Sequence, residues 1–142
     1  MTRLPNWPSL LEAFLSTNQH RKFAYGSWDC CLMCCEALYD ITGVDVGEPF
    51  RGRYTSRAGA FRFAVEHSGR KSIEGHVENV ANQLGLRPIG VGEAQRGDVV
   101  LIGRGRDRSL GIVALNGQDA VITSDHGLWR IPLTRAVRAW RV

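Results

Sequence analysis

The sequence predicts an α+β domain in which the helices come first and the antiparallel strands second. Up to residue 85, apolar residues recur at helical spacing behind Ser, Thr or Asp caps. From residue 86 onward, short β-branched runs alternate with Gly, Asn and Asp. A chain of 142 residues with a hydrophobic fraction of 44% is the size of one ordinary domain and can form a core. We therefore expect one domain, 1–142, with helices and strands in separate parts of the chain.

The first helix is predicted behind a short N-terminal arm, within residues 1–22. Pro8 and Ser9 suit the first positions of a helix, because an N–H group has no helical partner there. The apolar residues expected to face the core recur at helical spacing: Leu10, Leu11, Phe14 and Leu15. The arm itself, Met1–Ser9, mixes proline with charged and aromatic residues and is expected to be irregular.

The second helix is the best-defined element of the segment 23–85. Asp29 suits its N-cap, since the carboxylate can accept free backbone N–H groups of the first turn. Cys30 would then be the first helical residue, and Thr42-Gly43 is a common C-terminal stop. We therefore expect a helix whose first turn carries a cysteine.

Two further helices are predicted before residue 86. Ser56 can cap the third helix, which Gly69 would end, and its apolar stripe is expected to be Ala60, Phe61, Ala64 and Val65. Ser72 opens a shorter fourth helix that Gly85 would end, with apolar positions Val77, Val80, Ala81 and Leu84. The segment Arg51–Tyr54, between the second and third helices, is expected to be an exposed loop, and the longer segment Glu48–Tyr54 is expected to be irregular.

The segment 86–142 is predicted to form the sheet. The expected strands are Leu86–Ile89, Val99–Ile102, Leu110–Leu115, Ala120–Thr123, and Leu128–Ile131 with Val137–Arg141. Asn116-Gly117 is typical of a hairpin turn between two of these runs. The basic segment Arg104–Arg108 is expected to be a solvated loop between two strands.

The cysteines admit two interpretations. A thiol in the first turn of a helix, as expected for Cys30, experiences the positive end of the helix dipole, which favours the nucleophilic thiolate. Cys31, Cys34 and Cys35 fall with Leu38 on one helical stripe, and a buried cysteine behaves as a small hydrophobe. The alternative is a metal or iron–sulfur site, with the ligands Cys30, Cys31, Cys34 and Cys35. A single helix closes poorly around one ion, so packing is favoured.

Four blocks of the sequence, in order, resemble the NlpC/P60 family of papain-like cysteine peptidases. The first is the aromatic segment that ends in Asp-Cys and leads into a helix, Phe23–Cys30. The others are Gly97–Ile102, Leu110–Gly117 and Val121–Ser124. The end of the chain, Ala139–Val142, is similar to that of NlpC/P60-like proteins of phage and prophage tails. The resemblance implies N-terminal helices packed on a C-terminal antiparallel sheet, with the first block supplying the nucleophile.

The chain departs from that family at the catalytic histidine. The family places a histidine two residues before the Gly of its Gly-Ile strand, and this chain has Ser109 there. The family's third polar position falls near Thr123. Serine cannot accept a thiol proton near neutral pH. His126, in a predicted turn, is the candidate substitute base, although a solvated turn histidine is the alternative. The remaining histidines are expected at the surface: His20, His67 and His76.

Composition narrows the expected partners. A net charge of +4 and a pI near 9.2 would suit anionic partners, but the arginines are scattered and no aromatic–basic motif of a nucleic-acid module is present. The N-terminus lacks the apolar stretch of a signal peptide, and no segment approaches transmembrane length. We therefore expect synthesis in a host cytoplasm, no membrane insertion, no nucleic-acid partner and no cofactor.

The resemblance implies two competing functions. The first, favoured by the missing histidine, is a structural component of a phage tail tip or baseplate in the virion tail, in contact with other tail proteins. The second is a cysteine endopeptidase that cleaves peptidoglycan during genome entry, with Asp29 as the helix cap beside the nucleophile. Candidate binding residues near that nucleophile are Tyr25, Trp28 and Tyr54. Candidate contacts for partner proteins are Met1–Ser9, Glu48–Tyr54, and the aromatic residues Trp7, Phe50, Tyr54 and Trp129.

Overall fold

The computed structural model describes residues 1–104 and 107–142. This part of the chain is an α+β domain with four α-helices and a six-stranded antiparallel sheet, which confirms the predicted fold class. The helices are α1 (Trp7–Thr17), α2 (Cys30–Thr42), α3 (Arg57–Ser68) and α4 (Ile73–Gln83). The strands are β1 (Arg87–Ile89), β2 (Val99–Arg104), β3 (Asp107–Val113), β4 (Asp119–Ser124), β5 (Gly127–Pro132) and β6 (Ala136–Arg141). None of the described helices has the length and apolar character needed to cross a bilayer.

The strands lie in the order β1-β6-β2-β3-β4-β5. A 3₁₀ turn, Leu133–Arg135, separates β5 from β6, so the last two predicted runs are distinct strands. β5 forms one edge of the sheet, and β6 lies between β1 and β2. β2 and β3 are longer than predicted and extend into the expected loop at Arg104–Arg108. Residues 105 and 106 of that predicted loop lie outside the described residues.

The main core lies between the sheet and the helices α1 and α2. α1 packs on α2, and α2 contacts β3 and β4. Its largest fully buried side chains include Leu11, Trp28, Met33, Ile41, Ile112 and Trp140. A smaller apolar cluster covers the other face of the sheet: Val100, Ile102, Val113, Ala120, Ala136 and Ala139. The central strands are therefore buried on both faces, which explains their nearly continuous apolar sequence.

Local capping signals predict the helix ends well. The side chains of Asp29, Ser56 and Ser72 each accept a backbone N–H bond at the start of α2, α3 and α4. Gly43 and Gly69 end α2 and α3 in the left-handed conformation that glycine tolerates best. These helix ends are therefore fixed by residues within a few positions of each terminus.

The predicted apolar stripe of α3 is wrong at Phe61, whereas Ala60, Ala64 and Val65 are half-buried. Phe61 is 54% exposed, and α3 contains no buried residue. The side chain that packs inward is Phe63, whose ring lies 6.0 Å from that of Phe50, centroid to centroid. α3 packs mainly on α4, so its orientation is set by this pair of helices and not by the sheet.

Asp98 links the two terminal segments of the structure. It is fully buried and accepts hydrogen bonds from Arg3 Nη2 at 2.7 Å, Arg141 Nε at 2.9 Å and the Val142 backbone N–H at 3.2 Å. The N-terminal arm is therefore docked on the domain, and a second bond, from the Leu4 N–H to the Ile41 carbonyl at 2.8 Å, supports it. Asp98, in the Gly97–Ile102 block, thus has a structural role, since a buried carboxylate requires hydrogen-bond donors and positive charges around it.

Candidate functional site

Cys30 is the first residue of α2, as predicted. The loop before it is shaped by Gly26, whose φ is +80°. A Cβ at Gly26 would lie 1.8 Å from the Tyr54 backbone oxygen, so a side chain does not fit there. The Gly52 N–H also donates to the Gly26 carbonyl at 2.8 Å. The segment Glu48–Tyr54 therefore packs directly against the loop that presents the thiol.

Asp29 is the centre of the polar network beside the thiol. It is 4% exposed, and its carboxylate accepts hydrogen bonds from the Leu32 N–H at 3.0 Å, the Gly26 N–H at 3.0 Å and the Tyr54 hydroxyl at 2.7 Å. Burial, followed by the adjacent Asp29 charge, raises the pKa of Tyr54, which keeps its hydroxyl a donor. Asp29 is thus a structural anchor, with both carboxylate oxygens occupied.

Three neighbouring groups lower the pKa of the Cys30 thiol, and one of them, the Ser109 hydroxyl, also donates to the Leu110 carbonyl at 3.3 Å. The pKa of Cys30 is lowered mainly by a hydrogen bond from Cys31, with the Leu110 backbone N–H and the Ser109 hydroxyl contributing further. Burial and the negative charge of Asp29 oppose this shift. Ser109, on β3, therefore stands beside the thiol at the position where the sequence comparison placed the missing base. A serine hydroxyl stabilises a thiolate as a donor but does not carry its proton away.

The remaining cysteines are held as neutral thiols. The hydrogen bond to Cys30, followed by burial, raises the pKa of Cys31 well above its ordinary value. Burial raises the pKa of Cys34 strongly and that of Cys35 to about 12. All four cysteines are free; Cys34 is buried and the other three are half-buried. Among the described residues no group of three or more His, Cys, Asp or Glu side chains has metal-site geometry. Cys31, Cys34 and Cys35 therefore act as packing residues, and Cys30 is the one cysteine of the four whose pKa is lowered.

A cavity of about 1380 Å³ adjoins the four cysteines. It lies between α2, the α3–α4 pair and residues of the interior strands β2, β3 and β6. Core side chains border it: Leu38, Val77, Ala81, Leu84, Leu86 and Trp140. Cys30 and Ser109 also line it, so the thiol faces a space large enough for a ligand.

One histidine, His76, is placed differently from the prediction, whereas His20, His67 and His126 are exposed as expected. His126 lies in the exposed turn between β4 and β5 and is not among the residues that line the cavity. His76, predicted at the surface, is 9% exposed and lines the cavity. Its ring lies 5.7 Å from that of His67 and 6.0 Å from that of Phe50, centroid to centroid. Burial, and then the neighbouring His67, lower the pKa of His76, which favours the neutral ring at pH 7.

The predicted binding residues divide into two groups. Tyr25 and Tyr54 line the cavity, whereas Trp28 is 1% exposed and packs on Phe14 in the core. The candidate contact Phe50 is also buried. The predicted exposed loop Arg51–Tyr54 is exposed at its first three residues, but Tyr54 is half-buried. Trp129, at 59% exposure, is an accessible aromatic residue as expected.

Thr123, which lies near the third polar position of the NlpC/P60 pattern, is also buried. It is 7% exposed, and its hydroxyl has no hydrogen-bond partner among the described residues. No sequence pattern predicted the burial of His76 and Phe50. The one local signal was that Phe63 and His67 stand one helical turn apart on α3, where their rings stack at 5.7 Å.

A family model described as a domain of unknown function, DUF6950, matches residues 2–142, so the chain belongs to that family. A search of curated proteins found no match to the sequence.

Proposed function

We propose that this DUF6950 domain has an NlpC/P60-like fold with a retained nucleophile position and no catalytic base, and that it serves as a structural component of a phage tail tip or baseplate. The observation that carries this proposal is that Ser109 lines the same cavity as Cys30 and contributes to lowering the pKa of its thiol. The NlpC/P60 pattern has the catalytic histidine at the position of Ser109. With a serine there, the thiol has hydrogen-bond donors beside it but no group that accepts its proton.

The chemistry of acyl transfer explains why this pairing argues against hydrolysis. A cysteine peptidase needs a group that takes the thiol proton and later returns it to the leaving amine. The Ser109 hydroxyl and the Leu110 N–H stabilise a thiolate at Cys30 but cannot shuttle a proton. The carboxylate of Asp29 is occupied by three donors, so it does not replace the base. General-base catalysis contributes roughly 10²–10⁴-fold, and this factor is absent at Cys30.

The structural role draws support from the similarity to tail proteins and from the exposed residues. The arm residue Arg3 and the aromatic residues of the Glu48–Tyr54 segment are engaged within the domain, whereas Arg51, Arg53 and Trp129 are exposed. Arginine and aromatic side chains are enriched at protein interfaces. We therefore assign the partner contacts to these exposed side chains in place of Phe50 and Tyr54.

A peptide-release assay tests the absence of hydrolysis. Purified protein is incubated with peptidoglycan and with isolated stem peptides, and the products are separated by chromatography. Wild type, Cys30→Ala and Ser109→His are compared. We expect the wild type to match the Cys30→Ala protein. Hydrolysis by the wild type that disappears in Cys30→Ala would establish the alternative function, a peptidoglycan endopeptidase.

The endopeptidase alternative is favoured by the lowered pKa of Cys30 and by the adjoining cavity. In that case a histidine must supply the base, and the two candidates are His76 in the cavity wall and His126 outside it. His76→Gln and His126→Gln distinguish them, since the variant that loses hydrolysis while its thiol still alkylates identifies the base.

The tail assignment needs a separate experiment. Mass spectrometry of purified virions from a phage or prophage that encodes the protein should detect the chain at a fixed ratio to known tail proteins. An Arg53→Glu Trp129→Ala double variant should fold normally and be incorporated less. If the protein is absent from mature particles, the structural role is wrong, whatever the peptide-release assay shows.

A further inference from the structure

The first two turns of α2 carry two pairs of cysteines, and the members of each pair stand one helical turn apart. Cys30 and Cys34 form one i,i+4 pair, and Cys31 and Cys35 form the other. Side chains at this spacing are neighbours on the helix surface, with Cβ atoms about 5–6 Å apart. All four thiols are free, and all four residues line the cavity of about 1380 Å³. The helix therefore presents paired thiols to a space of ligand size.

The two pairs differ in exposure. Cys34 is 2% exposed and belongs to the main core, so the Cys30–Cys34 pair has one covered member. Cys31 and Cys35 are both half-buried, and each packs against the core while part of its surface stays open. Cys31–Cys35 is therefore the i,i+4 pair that a ligand can reach at both residues.

The helical spacing favours a bridged pair of thiols over a disulfide. A disulfide requires Cβ atoms about 3.5–4.5 Å apart, which is shorter than the spacing of i,i+4 neighbours. One atom inserted between the two sulfur atoms lengthens the link and so suits the helical distance. Within the residues that the structure describes, no three or more His, Cys, Asp or Glu side chains are arranged to hold a metal ion. A bridging atom that needs only two protein sulfur atoms therefore fits this pair.

The protonation state of the pair favours a neutral ligand over a metal cation. Burial raises the pKa of Cys35 to about 12, and the hydrogen bond to Cys30, followed by burial, raises the pKa of Cys31 well above its ordinary value. A metal cation binds thiolate, so it must displace both of these tightly held protons. Trivalent arsenic that carries hydroxyl groups supplies its own proton acceptors, because each hydroxyl leaves as water together with a thiol proton.

We propose that Cys31 and Cys35 form a binding site for a monosubstituted trivalent arsenical, with arsenic bonded to both sulfur atoms and its organic group in the cavity. An arsonous acid, R–As(OH)₂, condenses with two thiols to give R–As(S–Cys)₂ and two molecules of water. Two As–O and two S–H bonds break, two As–S and two O–H bonds form, and arsenic stays trivalent. The proposal goes beyond the function proposed above and does not depend on it, because neither tail assembly nor proton transfer at Cys30 enters the argument.

Phenylarsine oxide, which hydrates to phenylarsonous acid, tests the site on the full wild-type chain. Native mass spectrometry should show one phenylarsenic group per chain, and peptide mapping after N-ethylmaleimide should show that Cys31 and Cys35 lose their reactivity. Excess 2-mercaptoethanol should leave the probe bound, whereas 2,3-dimercaptopropanol should remove it, because the second As–S bond forms within the chain. Removal of the probe by the monothiol, or full reactivity of either cysteine in its presence, would overturn the proposal.

Variants separate this pair from the other thiols of α2. Cys31→Ser and Cys35→Ser each remove one bond to arsenic, so the apparent affinity for phenylarsine oxide should fall by roughly 10²–10⁴-fold, the gain that a second linked contact supplies. The matched control is Cys34→Ala, which removes the member common to the other two neighbouring pairs and should bind as the wild type does. Circular dichroism checks the fold of each variant, and the wild-type protection pattern decides where a variant fails to fold. Loss of binding in folded Cys34→Ala, or its retention in folded Cys35→Ser, shows that the proposal is wrong.

Discussion

Tyr54→Phe removes one hydroxyl and tests whether the contact with Asp29 anchors the loop before Cys30. The Tyr54 hydroxyl donates to Asp29 Oδ2 at 2.7 Å, and the carboxylate is 4% exposed. A hydrogen bond to a charged group contributes about 1.5–3 kcal/mol. In Tyr54→Phe, Asp29 retains two backbone donors, and Tyr54 is only half-buried. We therefore expect the free energy of unfolding to fall by about 1–2 kcal/mol. For a domain of this size the melting temperature should fall by roughly 3–8 °C.

Urea unfolding followed by fluorescence measures this loss, with Tyr39→Phe as the matched control, since Tyr39 is 52% exposed. The control should stay within about 0.5 kcal/mol of the wild type. A double-mutant cycle with Asp29→Asn isolates the pair, because Tyr54→Phe should cost less when the carboxylate is absent. If Tyr54→Phe and Tyr39→Phe have the same free energy of unfolding, the anchoring role of Tyr54 is refuted.

Three further changes have defined outcomes. Ser109→Ala removes a donor to the Cys30 thiolate, so the pH midpoint of iodoacetamide alkylation should rise; an unchanged midpoint would contradict the contact. Gly26→Ala should cost roughly 3 kcal/mol or more in urea unfolding, because its Cβ meets a backbone oxygen at 1.8 Å, whereas Gly43→Ala, with nothing within 4 Å, should cost roughly 1 kcal/mol. The hydrogen bond from Arg108 on β3 is the main cause that lowers the pKa of Glu74. The ionised carboxylate therefore stabilises the folded state fully above about pH 4.3, and this contribution is lost as the pH falls through the lowered folded-state pKa. Glu74→Gln should therefore be less stable than the wild type at pH 7 and approach it in acid, and a constant difference would exclude this ion pair.

Local signals in the sequence predicted the part of the site formed by Asp29 and Cys30. A carboxylate before a helical run fixes the start of α2, and this needs no knowledge of the rest of the chain. The Asp29 cap and the position of Cys30 followed directly from that rule. Ser109 was singled out by the resemblance, just before the predicted strand Leu110–Leu115, and it lies within β3 near the thiol. Only the helix cap and the start of α2 follow from local hydrogen bonds alone.

The second half of the site depends on contacts between distant segments. The Tyr54 hydroxyl reaches a carboxylate 25 residues earlier in the chain. His76 is buried because Phe50 and His67 pack against it from two other segments. A helical pattern on α3 suggested Phe61 as an inward residue, yet Phe63 is the one that contacts Phe50. No periodicity in the sequence specifies which face of a helix meets a segment that has no regular structure.

The weak attachment of α3 has a consequence for local unfolding. Amide hydrogen exchange reports the free energy at which each segment opens, and segments with few buried contacts open well below the global value. α3 contributes no buried side chain, whereas α2 contributes seven. Amides of α3 should therefore exchange first and independently of urea unfolding, and those around Leu38 and Ile41 should exchange last. We therefore expect α3 to open locally at a lower free energy than the unit formed by α2 and the sheet.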